Sequence, residues 1–137
     1  MDRFPPQDVI NKRKVESLYK AKQLLPAFHI LYPNVSACTI TYTRKCDSPG
    51  GYRFDKSPMI WNVRIQTDCS MVTIDCYNTD CTKGYFDMSS IIHDMVSAHE
   101  KIREGIMYCN GYQDAERIGI NECHCELQYK LQIDYKQ

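Results

Sequence analysis

The spacing of the cysteines limits the possible folds of this chain more than any other feature. Cys76 and Cys81 form a C-x4-C pair, and Cys123 and Cys125 form a C-x-C pair. Residues i and i+2 of a β-strand point to the same side, so the second pair can reach two partners on one neighbouring segment but is poorly placed to bond within itself. If Cys76 and Cys81 are those partners, two adjacent disulfides clamp two segments together.

The composition indicates one disulfide-supported domain, with or without an arm. The chain has 137 residues, eight cysteines and ten tyrosines, and its apolar residues form only short runs. Cysteine use of this kind predicts a secreted protein, and a cytosolic protein is the alternative. No apolar signal-peptide core is present at the start, so we interpret Met1 as a start codon placed before a mature sequence.

The charge pattern argues against nucleic-acid binding. Seventeen basic and seventeen acidic residues cancel, and no stretch combines dense lysine and arginine with stacking aromatic residues. The apolar runs are also far shorter than the ~20 residues that a membrane-spanning helix needs. We therefore expect neither a nucleic-acid partner nor membrane insertion.

The sequence divides into an N-terminal helical arm, residues 1–37, and a cysteine-rich domain, residues 38–137. After the candidate N-cap Asp8, apolar residues recur near helical spacing and predict one helix over about 8–24. These residues are Ile10, Val15, Leu18, Ala21 and Leu25. This stripe would pack on the chain's own domain or, as the alternative, on a partner subunit or a receptor.

From residue 35 onward the composition favours β-strands, and the predicted fold class is mostly β with antiparallel strands. Stretches rich in Ile, Val, Thr and aromatic residues predict strands at 35–43, 59–67 and 71–77. A long strand or hairpin arm is predicted at 115–135, with a bulge near 123–125. Turns are predicted at 48–51 and 56–58, where proline, glycine and serine cluster.

The segment 89–107 has a different pattern. Ile91, Met95, Ala98 and Ile102 recur at helical spacing, whereas an alternating pattern fits the segment less well. Periodicity alone therefore predicts a helix here.

The pattern of chemically reactive residues favours binding over catalysis. His93-Asp94 is the nearest approach to a catalytic pair, but no nucleophile motif accompanies it. Four thiolates with His124 nearby could hold zinc, although neither cysteine pair has the C-x2-C spacing typical of zinc sites. We expect no enzyme activity, no metal and no cofactor.

Large side chains cluster after the glycine turn, where Tyr52, Phe54, Met59 and Trp61 follow one another closely. Such residues serve as binding anchors because they bury much area with little loss of rotamer entropy. Alternatively, Trp61 fills the core of a small β-domain. Asn34-Val35-Ser36 is an N-glycosylation sequence and predicts a glycan at Asn34.

The order of the later cysteines resembles the cystine-knot domain of interleukin-17 family cytokines. It runs Cys76-x4-Cys81, then 27 residues to Cys109, then 13 residues to Cys123-x-Cys125. The stretches 85–91 (YFDMSSI) and 48–60, with its Ser-Pro, Tyr-Arg, Asp and Pro residues, are also similar to the family. The resemblance covers about residues 46–127, and this chain departs from the family pattern at Gly50 and in the apparent insertion 68–75.

The resemblance implies a cystine-knot cytokine fold with two bridges, Cys76 to Cys123 and Cys81 to Cys125. It implies that 89–107 is a strand, against the periodicity. It also implies a disulfide-linked or tightly associated homodimer, in which Cys109 bonds one of two cysteines of the other chain and the remaining one bonds Cys69. Those two candidates are Cys38 and Cys46.

The function expected from the resemblance is that of a secreted cytokine that crosslinks interleukin-17-type receptor ectodomains. The expected contacts are Tyr52, Phe54, Met59 and Trp61, with Asp87 and Ile91 at a second edge. The alternatives are another cystine-knot ligand, neurotrophin-like or Toll-ligand-like, and a secreted antagonist that binds a receptor without crosslinking it.

Overall fold

The computed structural model describes residues 7–48, 51–77, 85–109, 112–113, 121–122 and 125–137. The helices are α1 (Gln7–Gln23), α2 (Phe28–Leu31) and α3 (Ser89–Ser97). The strands are β1 (Val35–Ser48), β2 (Gly51–Phe54), β3 (Met59–Asn62), β4 (Thr73–Asp75), β5 (Tyr85–Asp87), β6 (Ile102–Tyr108), β7 (Tyr112–Gln113), β8 (Asn121–Glu122) and β9 (Cys125–Tyr135). All strand pairs are antiparallel, so the predicted mostly β, antiparallel character is confirmed.

Five strands form the main sheet, in the order β2-β1-β9-β6, with β3 also pairing with β1. The long strand β1 pairs on one side with β3 through its first half and with β2 through its second half. On its other side it pairs with β9 from Val35 opposite Tyr135 to Cys46 opposite Cys125. Strands β4 and β5 form a separate two-stranded sheet, as do β7 and β8.

The core lies on one face of the main sheet. Alternate residues of β1 and β9 are buried there, including Ile40, Leu127 and Leu131, as expected for a strand with a period of two. They form one cluster with buried residues from α2, β5 and α3, which therefore belong to a second layer. The second-layer members of this cluster include Phe28, Phe86, Met88, Ile92 and Met95.

Helix α1 confirms the helix predicted over about 8–24, but its apolar stripe does not pack on the domain as first expected. Val15 is 68% exposed, and Ala21 and Leu25 are also exposed, while Leu18 is half-buried. The core instead begins at Phe28 and includes Tyr32 and Val35. The interpretation that the stripe covers its own domain is therefore wrong for these residues, whereas Ile10 has no described side chain.

The expectation from the resemblance that 89–107 is a strand is wrong for the first part of this segment. Residues 89–97 are helix α3, and only Ile102–Tyr108 is strand. The helix forms because Ile92 and Met95 fall on one face and are fully buried. It ends where His99 adopts a left-handed φ of 54° and the Glu100 N–H donates to the Met95 carbonyl at 2.8 Å, a helix-stopping arrangement.

Two other strand predictions were too long. Strand β3 ends at Asn62, because Arg64 and Asp68 close a turn in which the Arg64 N–H donates to the Asp68 carboxylate at 2.8 Å. The strand predicted at 71–77 is reduced to β4. The first part of the predicted strand 115–135 and its bulge near 123–125 fall mostly outside the described residues, while β9 confirms the rest.

Candidate binding face and cysteine row

The face of the main sheet opposite the core, here called the open face, carries a shallow groove of about 660 Å³. Register places the side chains of alternate residues of β1, β9 and β6 on this face. The groove is lined there by Thr41, Thr43, Gln128, Lys130, Glu104 and Ile106. The groove therefore offers hydroxyl, amide and charged groups beside the apolar side chain of Ile106.

The predicted receptor-binding residues do not form one patch. Phe54 lies opposite Lys45 in the β1–β2 pair, so it is on the open face, where it is exposed. Met59 and Trp61 lie opposite Tyr42 and Ile40, which places both on the core side of the sheet. The cluster that the sequence suggested is therefore split between two faces of one sheet edge.

The members of this set also differ in burial. Met59 is exposed, whereas Trp61 is half-buried and packs against the core, as the alternative interpretation of Trp61 had it. Tyr52 of β2 lies opposite Asp47 of β1, and the side chain of Tyr52 is outside the described part.

Asp87 and Ile91 lie in the second layer. An Asp87 carboxylate oxygen accepts a hydrogen bond from the Ser89 N–H at 2.9 Å, and the Ser89 hydroxyl accepts one from the Val72 N–H at 3.2 Å. Ile91 is half-buried and packs on the core. In this chain Asp87 therefore fixes the start of α3, a structural role that its position in the sequence did not indicate.

Three cysteines lie side by side across the end of the main sheet, in what we call the cysteine row. Cys46 of β1 is directly opposite Cys125 of β9. Cys109, which follows β6, donates its N–H to the Cys125 carbonyl at 3.0 Å. All three side chains are buried in the core. The row brings together β1, β9 and the end of β6, which come from separate parts of the sequence.

Cys76 is buried near the same end of the core. Asp75, the residue before it, accepts a hydrogen bond through its carbonyl from Arg44 Nη1 at 3.1 Å, and Arg44 is two residues before Cys46. The predicted bridges from Cys76 to Cys123 and from Cys81 to Cys125 each include one residue outside the described part. The described partners, Cys76 and Cys125, lie at the same end of the core.

Arg44 binds Asp55 next to this row. Arg44 Nε and Nη2 donate to the two Asp55 carboxylate oxygens at 2.9 and 3.1 Å, and the Arg44 N–H donates to the same group at 2.8 Å. The guanidinium also lies over the Tyr42 and Tyr77 rings. This one side chain therefore ties β1 to the segments that follow β2 and β4.

The electrostatics of the pair favour its charged form. Burial raises the pKa of Asp55, but the hydrogen bonds and charge of Arg44 outweigh it, so the pKa of Asp55 lies below its ordinary value. The hydrogen bonds that Arg44 donates to Asp55 raise the pKa of Arg44. Both groups stay ionised at neutral pH, as expected for a partly buried ion pair with these hydrogen bonds.

The other cysteines bear on the predicted dimer bond. Cys38 is buried opposite Ile133, and this burial raises the pKa of its thiol to about 12. The Cys69 thiol donates to the Lys22 carbonyl at 3.4 Å. No disulfide joins two of the six cysteines in the described ranges. Since Cys38, Cys46 and Cys109 are all buried inside one chain, a bond between chains through them requires local opening.

Histidines and carboxylates do not gather into a reaction centre in the part that the structure describes. His93 and Asp94 are both exposed on α3, and no group of three His, Cys, Asp or Glu residues there is arranged to hold a metal ion. His29 instead makes a hydrogen bond to the Ile65 carbonyl at 3.1 Å.

The described residues thus define a small, cysteine-rich, antiparallel β-protein with an exposed sheet face. No family model, curated protein or solved structure gives a match to this chain. None of the helices within the described ranges is both long and apolar enough to cross a bilayer.

Sequence reasoning missed two features of this region. The Arg44–Asp55 pair joins a residue of β1 to the residue that follows β2, and no short spacing marks it. The exposed side of β6 was detectable, because Ile102, Glu104 and Ile106 are alternate residues of one strand and two of them are apolar. The helical stripe that precedes the strand obscured this pattern.

Proposed function

We propose that this protein is a secreted signalling ligand of the interleukin-17 type, which acts by binding receptors and carries out no chemistry. The cysteine order resembles that of the family, and the antiparallel sheet with a buried cysteine row is compatible with a disulfide-supported extracellular protein. The observation that carries the proposal is the gathering of Cys46, Cys76, Cys109 and Cys125 at one end of the core.

The mechanism follows from two-fold symmetry. A homodimer presents two copies of one surface, so it can hold two receptor ectodomains close together. Because the cysteines that were candidates for an interchain bond are buried, the proposed dimer is tightly associated without needing that bond. Receptor chains brought together in this way start the signal inside the cell.

The proposed receptor contacts lie along the β2–β3 edge of the sheet. Phe54 and Met59 are exposed there on opposite faces, and Trp61 supports the same edge from a half-buried position. A receptor loop that grips the edge can contact both faces. Asn34 is exposed before β1, where a glycan can be attached.

Disulfide mapping of the secreted protein, together with receptor binding, tests this proposal. We expect bridges from Cys76 and Cys81 to Cys123 and Cys125, a native mass of twice the chain, and binding to an interleukin-17-type receptor ectodomain. We expect Phe54→Ala to weaken that binding at least about tenfold, the loss typical of a hot-spot residue, and Tyr19→Ala on α1 to leave it unchanged.

Other results would redirect the assignment. Eight free thiols in a monomer would rule out the secreted cytokine. A third bridge threading a ring would favour another cystine-knot ligand, and a monomer that binds the receptor would favour an antagonist. If folded Phe54→Ala and Trp61→Ala both bind normally, the contacts are wrong.

A further inference from the structure

Strand β6 is an edge of the main sheet, since it ends the order β2-β1-β9-β6. The Lys101 carbonyl accepts from the Ile133 N–H, and the Cys109 N–H donates to Cys125, so the odd-numbered residues of this stretch direct their backbone groups toward β9. In an antiparallel strand the N–H and C=O of one residue point the same way and alternate along the chain. The backbone groups of Ile102, Glu104, Ile106 and Tyr108 therefore point outward.

The side chains of these outward residues are unusually apolar for an edge strand. Ile102, Ile106 and Tyr108 are 54%, 51% and 66% exposed, and no strand in the described ranges pairs with this side of β6. Natural edge strands are commonly short, charged or covered, because a bare edge recruits another strand. Glu104 is the one charged residue among the four.

We propose that β6 pairs antiparallel with β6 of a second copy of this chain, about a two-fold axis at Gly105, so that two main sheets become one. In this register Ile102 lies opposite the partner's Tyr108, and Glu104 lies opposite the partner's Ile106. Each outward N–H and C=O then finds a partner. The axis makes every contact occur twice, as in an isologous dimer.

The order of residues in β6 selects both the occupant and the register. A two-fold axis at Glu104 would set two carboxylates opposite each other, which is unfavourable. An axis at Ile106 would leave Ile102 without an opposite residue in the strand. The register about Gly105 avoids both faults: all four outward residues have an opposite residue, the exposed Ile102 and Tyr108 meet as an apolar pair, and the two Glu104 carboxylates stay apart, which favours a second copy as the occupant.

This inference deepens the proposed function, on which its biological role rests. A two-fold axis perpendicular to the sheet keeps the open faces of both copies on the same side. The two β2–β3 edges then lie at opposite ends of one continuous sheet. A dimer of this form places both candidate receptor contacts within reach of receptors on one membrane.

Substitution of Ile106 gives a matched test. Ile106→Pro removes an outward N–H and no bond to β9, as proline on a sheet edge allows, whereas Ile106→Ala removes the side chain and keeps that N–H. We expect light scattering to show a dimer for the wild type and for Ile106→Ala. For Ile106→Pro we expect the dissociation constant of the dimer to rise at least about tenfold, because its hydrogen bond is lost twice.

Hydrogen exchange in the wild-type protein tests the same contact without any substitution. The amides of Glu104 and Ile106 should exchange about as slowly as those of Gly105 and Met107, which bond β9. The inference is overturned if the Glu104 and Ile106 amides exchange rapidly while the Gly105 and Met107 amides are protected. It is also overturned if a folded Ile106→Pro variant stays fully dimeric. If either result is found and the wild-type protein is still a dimer that binds receptor, the proposed function stands and only the β6 contact is wrong. A wild-type monomer also overturns the β6 contact.

Discussion

At the residue scale, Arg44 explains how charged groups are accommodated beside the core. Its guanidinium makes two hydrogen bonds to one carboxylate and one to a carbonyl, and it lies over two aromatic rings. These contacts replace the water contacts that the side chain loses. A planar guanidinium can satisfy all these groups at once, whereas a lysine ammonium cannot. The pair therefore fixes the relative positions of three chain segments.

The depressed pKa of Asp55 predicts a pH-dependent stability. A carboxylate whose pKa is lower in the folded state adds stability above its unfolded pKa, about 3.9, and loses it as the pH falls through the folded value. We expect Asp55→Asn to lower the free energy of unfolding by about 1–3 kcal/mol at pH 7. The difference from wild type should shrink as the pH falls below about 4.

Urea unfolding at several pH values measures this difference. Asp134→Asn is the matched control, because Asp134 is an exposed carboxylate on β9 and its loss should have little effect at any pH. An Asp55→Asn deficit that stays constant down to pH 2 would show that the lost contribution is not the charge on Asp55.

At the element scale, the junction between α3 and β6 depends on one unusual backbone conformation. His99 has a φ of 54° and its ring stacks on Tyr135 with centroids 4.0 Å apart. The Tyr135 hydroxyl donates to the Glu100 carbonyl at 2.6 Å and also lies 3.1 Å from the Met95 carbonyl. The end of β9 thus holds the turn in which the helix becomes a strand.

Two substitutions at His99 separate the backbone requirement from the stacking. Both His99→Asn and His99→Val lose the ring, but asparagine tolerates a left-handed φ and a β-branched residue does not. We expect His99→Val to be less stable than His99→Asn by about 1 kcal/mol in urea unfolding. Equal stabilities would mean that the turn relaxes to another conformation.

The same junction shows what the sequence could and could not predict. The helical periodicity of 89–107 was correct only as far as α3, since Ile102 belongs to β6, and the strand implied by the family resemblance, which we followed for the whole segment, was correct only for β6. The sequence did not locate the boundary between the two, because the helical spacing continues through Ala98 and Ile102 past the turn, and a histidine, although favoured over most residues at a left-handed φ, occurs far more often in ordinary conformations. Strands β1 and β9 were better predicted, since their alternation matches a sheet with one buried face.

At the scale of the whole molecule, α1 stands apart from the core. Its described apolar side chains are largely exposed, and Lys22 accepts a hydrogen bond from Cys69 near its end. Helices in proteins gain most of their stability from packing. The core begins after it, at Phe28.

Removal of residues 1–23 should therefore change the melting temperature by less than about 4 °C, since a domain of this size shifts several degrees per kcal/mol. Removal of residues 1–37 should instead prevent folding, because Phe28, Tyr32 and Val35 are buried. Circular dichroism melts of both truncations measure this contrast. A large loss of stability from the shorter truncation would show that α1 packs on the domain.

The candidate site was less predictable than the fold. Sequence placed Phe54, Met59 and Trp61 in one cluster because they are close in the chain, but the register of β2 and β3 against β1 separates them. The cysteine row could not be derived either, because the pairing of Cys46 with Cys125 depends on the register of two strands that are distant in sequence.

The position of β9 has a consequence for biosynthesis. It lies between β1 and β6 in the sheet but follows both in the chain, so these strands have no central partner until residues 125–135 leave the ribosome. Until then, Cys46, Cys76 and Cys109 lack the core that buries them in the finished fold. Non-local pairing of this kind is slow. If the proposed secreted form carries the expected disulfides, their correct formation depends on a thiol–disulfide isomerase that reshuffles early bonds after the final strand arrives.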